Sequence, residues 1–209
     1  YGATTTYHMF NPAMISRAGY SDFRMNRSYA LEHTIYFGSE QHLSKAITVN
    51  YGARLTAFRN MGKTLQYHYD NNYDVSGATE YGSGKIYHTY IRPEFRAGMV
   101  YKLDDWSSVK ANFTHNTQFI QIANNSDSGS PLDLWFPASP NIKPQEANQY
   151  SVGYFRNFKN NAIETSVEFY YKGMNNVIDF KDNAQILFNE KLDGDIRTGK
   201  EIGRASCRE

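Results

Sequence analysis

Between Lys143 and Phe180 the chain alternates with a period of two. Ile163, Thr165, Val167, Phe169 and Tyr171 fall on one side, and Glu164, Ser166, Glu168, Tyr170 and Lys172 on the other. Successive side chains of an extended strand point to opposite faces, so this pattern predicts a strand with one apolar and one wet face. Upstream, Tyr150, Val152 and Tyr154 alternate with Gln149, Ser151 and Gly153. Lys159-Asn160-Asn161 lies between the runs and holds residues that tolerate a tight turn. The result is a long hairpin with a very short connection. Strands of globular proteins peak near ~5–6 residues, whereas a tilted strand crossing a bilayer takes roughly 9–11.

The same pattern recurs upstream. Tyr29, Leu31, Ile35 and Phe37 alternate with Ala30, Glu32, Thr34 and Tyr36, with His33 the exception on the apolar side. Ser39 to His42 read as a turn. Leu43, Ile47, Val49, Tyr51, Ala53 and Leu55 then alternate with polar or small residues, and Lys45 is placed to snorkel. Phe95, Ala97, Met99, Tyr101 and Leu103 alternate with Glu94, Arg96, Gly98 and Lys102; Pro93 before them marks a start of pairing or a bulge. Past a turn at Asp104 to Ser107, Val109, Ala111, Phe113 and Phe119 form the next apolar set. Strands are predicted near 28–38, 43–58, 86–103, 107–123, 146–158 and 161–177, with turns near 40, 105 and 160. Residues 1–27 read as a loop or the end of a preceding strand; 60–84, 124–145 and 179–200 read as long loops, with a strand beginning at Thr198. Tight turns at one end and long loops at the other characterise outer-membrane barrels. The fold class is therefore all-β, an antiparallel transmembrane barrel fragment of about six strands.

Composition narrows the picture. No run of about 18 apolar residues exists, which excludes a transmembrane helix but not barrel strands. Seventeen Tyr against two Trp suit interfacial girdles, and would also suit a sugar-binding surface. The net charge of +1 comes without a basic block, which argues against a nucleic-acid partner. The last nine residues, EIGRASCRE, break the pattern and read as the translation of a sequencing adapter. Residues 201–209 are thus expected to stand outside the fold, with no barrel contacts, and resequencing of genomic DNA checks this. Cys207, the single cysteine, lies among them, so the rest has no thiol or disulfide chemistry.

Several stretches resemble the TonB-dependent receptors of the Gram-negative outer membrane, in their Bacteroidetes form. They are Ile91-Arg92-Pro93-Glu94-Phe95-Arg96 with Tyr101-Lys102-Leu103, Phe119-Ile120-Gln121, and Asp133-Leu134-Trp135-Phe136-Pro137. More specific are Ile142-Lys143-Pro144-Gln145, Gln149 to Tyr154, and Ser166 to Lys172. The resemblance covers roughly 28–200, which makes 1–200 part of one barrel domain. It implies a 22-stranded barrel holding an N-terminal plug, outer-membrane lipid around it, and a TonB complex that reaches the plug. The implied activity is energised uptake of a scarce ligand: a metal chelate, a siderophore-like compound or a glycan. The plug and its coupling peptide match no residue of this chain.

Candidate chemistry is sparse. Asp70, Asn72 and Asp74 open like a calcium loop, but Val75 and Tyr81 stand where such a loop needs Gly and Glu. His8, His33, His42, His68, His88 and His115 show no metal-ligand spacing, and His88 and His115 fall on opposite parities. No metal, cofactor or catalytic residue is expected, and GxSxG and HExxH motifs are absent. Ligand contact is expected from loop aromatics: Trp135 and Phe136, because large exposed aromatics are costly without a partner, and Tyr67, His68 and Tyr69. His8, Met9, Met14 and Met25 are softer candidates. Glu94, Arg96, Glu164, Glu168 and Lys172 would line a wet lumen. A plain porin, a barrel enzyme and a soluble β-rich binding module remain as alternatives.

Overall fold

The computed structural model describes residues 1–11, 14–15, 23–24, 27–70, 74–123, 134–158, 162–180 and 195–204. Its frame is one antiparallel sheet of eight strands. In spatial order these are β1 (Gly2–Phe10), β4 (Ser28–His42), β5 (Ile47–Met61), β8 (Ile86–Lys102), β9 (Ser107–Gln118), β12 (Gln145–Phe158), β13 (Ile163–Phe180) and β14 (Ile196–Arg204). Three two-stranded pieces stand apart from it: β2 (Met14–Ile15) with β3 (Phe23–Arg24), β6 (Thr64–Tyr69) with β7 (Val75–Tyr81), and β10 (Ile120–Ala123) with β11 (Leu134–Pro137). The main strands are long, 17 residues for β8 and 18 for β13, more than a bilayer crossing consumes.

All six expected strands are present in the expected order. Two edge strands join them. Gly2–Phe10, read as loop or strand end, pairs with β4 along its whole length, from Gly2↔Tyr36 to Phe10↔Ser28. The sheet is open, with β1 and β14 at its edges.

Other differences have local causes. The first turn lies at 43–46, not 39–42: Ser39 to His42 stay extended and pair with Thr48 to Tyr51. The turn is closed by Leu43 N donating to Ile47 O at 2.9 Å, while the Ser44 hydroxyl accepts from Ala46 N and Ile47 N. The 103–106 turn falls as expected, with Leu103 N donating to Ser107 O. Within it the Ser107 hydroxyl and the Trp106 N–H hold the Asp104 carboxyl below its usual range. The third turn, at Lys159 to Asn161, lies outside the described residues, but Phe158↔Ile163 closes its hairpin. Pro93 sits inside β8 opposite Leu55 and causes no bulge; pairing of β8 with β9 begins at Phe95, two residues later.

Residues 60–84 are not a plain loop. They carry the β6–β7 hairpin, so Tyr67, His68 and Tyr69 lie on a strand. At the C-terminal edge the expectation for 201–209 needs correction. Glu201 to Arg204 register with Tyr171 to Met174, so four of those nine residues pair with the sheet. An open edge offers backbone donors and acceptors to any extended chain, whatever its side chains.

Candidate functional site

The register joins the alternating residues into two continuous faces. One apolar row runs Val49, Met99, Ala111, Val152, Phe169, with Gln41 at its β4 end, and its neighbour runs Ile47, Tyr101, Val109, Tyr154, Val167. The apolar stretch does not sit at a constant row. On β4 it spans Leu31 to Phe37, opposite Arg59 to Ala53, near the long-loop end of β5. On β13 its centre, Val167, follows the rows back to Ile47, at the tight-turn end of β5. A level belt crossing the ladder obliquely is what strands tilted in a bilayer require. Leu43, Tyr101, Leu103, Trp106, Phe158 and Ile163 are exposed around the tight turns, where a girdle belongs. Arg156 lies there too, its guanidinium 5.2 Å from the Phe158 ring centre and donating to the Tyr154 hydroxyl. Polar groups on the apolar side find partners: His33 shares a hydrogen bond with Thr5, and His115 with Asn148.

The opposite face carries the charges. Glu94 is buried, 3.4 Å from Arg54, and accepts from Thr117 N at 2.7 Å. Arg92 stands 2.9 Å from Glu146. His8 meets Glu32 at 2.9 Å, and Thr34 meets Thr56. Lys110 lies 4.2 Å from the centre of the Phe155 ring.

Toward the long-loop end this face becomes a packed core. Phe10, Ala30, Phe58, Tyr90, Phe119 and Ala138 cluster there, with Phe58 and Phe119 stacked 4.9 Å apart. Phe119 is a correction: the period placed it on the apolar outer side. β9 ends at Gln118, and the break re-aims Phe119 inward before β10 begins. The segment 135–144 folds back over this wall as a strap. Ala138 N donates to Phe119 O; Asn60 Nδ2 donates to Ala138 O at 2.8 Å and the Tyr90 hydroxyl to Ser139 O at 2.7 Å. Gln121 and Asn176 donate to the carbonyls of Lys143 and Pro144. Ile142 and Pro144 are buried between these bonds. The wall grips backbone carbonyls, so the strap is held by its path more than by its side chains. Tyr90→Phe is expected to weaken strap docking by about 1 kcal/mol, the usual net worth of one hydrogen bond. Faster hydrogen exchange at residues 138–142 would show it.

The expected ligand contacts separate. Trp135 and Phe136 are neighbours on β11 and so point opposite ways: Trp135 is 55% exposed, Phe136 only 9%. Phe136 is turned inward and buried, and its expected exposure is corrected. Asn141 Nδ2 donates to Tyr67 O, tying the strap to the β6–β7 hairpin. Tyr67 and Tyr69 are half-buried, while His68 is exposed and shares a 2.8 Å bond with Thr79. Of the softer candidates, His8 and Met9 lie on β1 and not in a loop, His8 toward Glu32 and Met9 on the apolar side. The side chains of Met14 and Met25 lie outside the described residues, as does Asn72 of the calcium-like triplet. Among the described residues no group of three His, Cys, Asp or Glu could hold a metal. The strap anchors Asn60 and Tyr90 had no sequence signal beyond being polar positions on the inward parity, and Gln121, on the parity that placed Phe119 outward, had none.

The family model for the TonB-dependent receptor-like β-barrel matches residues 1–199. This chain belongs to the TonB-dependent receptors. Its apolar face therefore meets the lipid of the Gram-negative outer membrane, and its charged face lines the barrel lumen. Among solved structures it is similar to Fiu, the ferric-catecholate import receptor of E. coli K12, at 14% identity and a TM-score of 0.51; the match covers 88% of this chain and 29% of that one. FauA, the alcaligin outer-membrane receptor of Bordetella pertussis, is similar at 13% identity and a TM-score of 0.45, over 77% of this chain and 23% of its own. The chain thus spans about a quarter of the length of these receptors. Among curated proteins none matches the sequence. Outer-membrane barrels keep short turns on the periplasmic side and longer loops on the extracellular side; here the strap and the β6–β7 hairpin belong to the long-loop end.

Proposed function

We propose that this chain forms part of the wall and mouth of an active transporter. It takes up a scarce ligand, a metal chelate, siderophore-like compound or glycan, with energy delivered by the TonB complex to a plug inside the barrel. The observation that carries this reading is the docked strap. A mouth segment bonded to the wall through five carbonyl and amide contacts supplies the rigid walls that capture of a ligand needs. Fiu, similar in fold, is a ferric-catecholate import receptor, which favours a chelate over a glycan.

Trp135, exposed on the strap's approach, is the contact with most apolar surface to offer, and Tyr67, His68 and Tyr69 on the hairpin tied to the strap are the others. Trp135→Ala in the full-length receptor is expected to weaken ligand binding by about 2 kcal/mol, within the hot-spot range for aromatic anchors. Titration calorimetry with the ligand that supports growth of expressing cells measures it. Uptake should stop when the TonB complex is deleted. Uptake that continues would make the barrel a passive channel.

A further inference from the structure

We infer that Arg96 is a docking point for a carboxylate of the plug, held ready on a bed of two glycines. This deepens the transport reading and rests on the plug it invokes.

Gly38, Gly52 and Arg96 occupy one row of the lumenal wall, on β4, β5 and β8. A Cβ placed on Gly52 would lie 2.8 Å from Arg96 Nε and 2.9 Å from Phe37 O. One on Gly38 would lie 2.9 Å from a guanidinium nitrogen of Arg96. The Arg96 side chain therefore lies flat across two strands, in a track that exists only because both positions lack a side chain. A concavity beside it is lined by Tyr36, Arg54, Glu94 and Asn116.

The neighbouring cations are engaged: Arg54 with Glu94, Arg92 with Glu146, Lys110 over Phe155. Among the described residues, no carboxylate lies within ion-pair distance of Arg96. An exposed planar fork lying along this track, with no partner among the described residues, suits bidentate capture of a carboxylate.

Depth selects the occupant. Arg96 lies between Phe95 and Ala97, at the middle of the lipid-facing run of β8 from Ile91 to Leu103. The strap is fastened at Tyr90 and at Asn60, which pairs with His88, six and eight residues nearer the long-loop end, or roughly 20–26 Å along the strand at ~3.3 Å per residue. An arriving ligand meets that level first. The mid-depth wall faces whatever fills the barrel, which in this family is the plug.

The test uses the full-length receptor in planar bilayers without ligand or TonB, together with hydrogen exchange of the plug. Arg96→Gln is expected to raise leak conductance and to speed exchange in one plug segment by about tenfold, the equivalent of about 1.4 kcal/mol. Gly52→Ala, which keeps the charge but fills the track, should do the same. Arg96→Lys should restore the wild-type behaviour only in part, since an ammonium cannot form the fork. Unchanged leak and exchange in Arg96→Gln would overturn the proposal. So would weaker ligand binding with an undisturbed plug, which would make Arg96 a ligand contact. Heat-shifted mobility of the folded barrel confirms that each variant is assembled. Leak is read without uptake, so this result stands apart from the TonB-deletion result.

Discussion

Val167→Arg is expected to destabilise the full-length receptor in lipid by about 2–4 kcal/mol, the range for a cation on the lipid face at mid-bilayer depth. Val167 is 47% exposed on the apolar face and centred in the run from Ile163 to Tyr171. It shares a row with Tyr101, which belongs to the girdle, yet the two differ in depth because the belt crosses the rows obliquely. Glu168→Gln, one residue along, should cost far less. Its side chain lies over Gly153 on the lumenal side, where water or the plug replaces the lost charge contact. Denaturant titration of the receptor refolded into lipid separates the two variants. Equal tolerance, or greater damage from Glu168→Gln, would mean that the faces are exchanged, since a one-residue slip inverts every side chain of a strand.

Phe58→Ala is expected to cost more, about 3–5 kcal/mol, the range for removing a buried phenylalanine. Phe58 is fully buried on the lumenal side, stacked on Phe119 and 6.0 Å from the His8 ring centre. It lies where the wall, the end of β9 and the strap meet, so the lost packing should release the strap before it opens the barrel. Faster hydrogen exchange at 136–144, at a denaturant concentration that leaves the belt intact, is the expected sign. A double-mutant cycle with Phe119→Ala should show coupling of about 0.5–1.5 kcal/mol, the worth of a stacked pair beyond its area. Additivity within about 0.5 kcal/mol would show that the two rings act independently and that the seam is not a packed unit.

How much of this was legible in the sequence depends on how local the cause is. The alternation at 161–171 and its counterparts identified six strands and divided each into an apolar and a polar face, because period-2 patterning is written directly into residue order. The β6–β7 hairpin was missed because Val75 to Tyr81 carries no apolar alternation, and that of Leu65, Tyr67 and Tyr69 with Gln66 and His68 is only five residues long. Their pairing rests on backbone bonds and a few contacts such as His68 with Thr79. The first turn was placed four residues early because Ser39 to His42 are polar. Beyond the bilayer, polar residues extend a strand as readily as they turn it, and hydrogen bonding to Thr48 through Tyr51 settled the matter.

Phe119 and Phe136 mark the limit of local reading. Both looked outward or exposed from their neighbours, and both are buried, because a strand break in one case and the return of the strap in the other re-aimed them. By itself, the order of residues determined that this chain is antiparallel wall with one lipid face and one wet face, since each strand's faces follow from its own period. Only the tertiary structure decided what stands against the wet face: the strap on Asn60 and Tyr90, and Arg96 lying across Gly38 and Gly52. Those contacts join residues from strands and loops far apart in the chain, and no period within one segment encodes a partner in another.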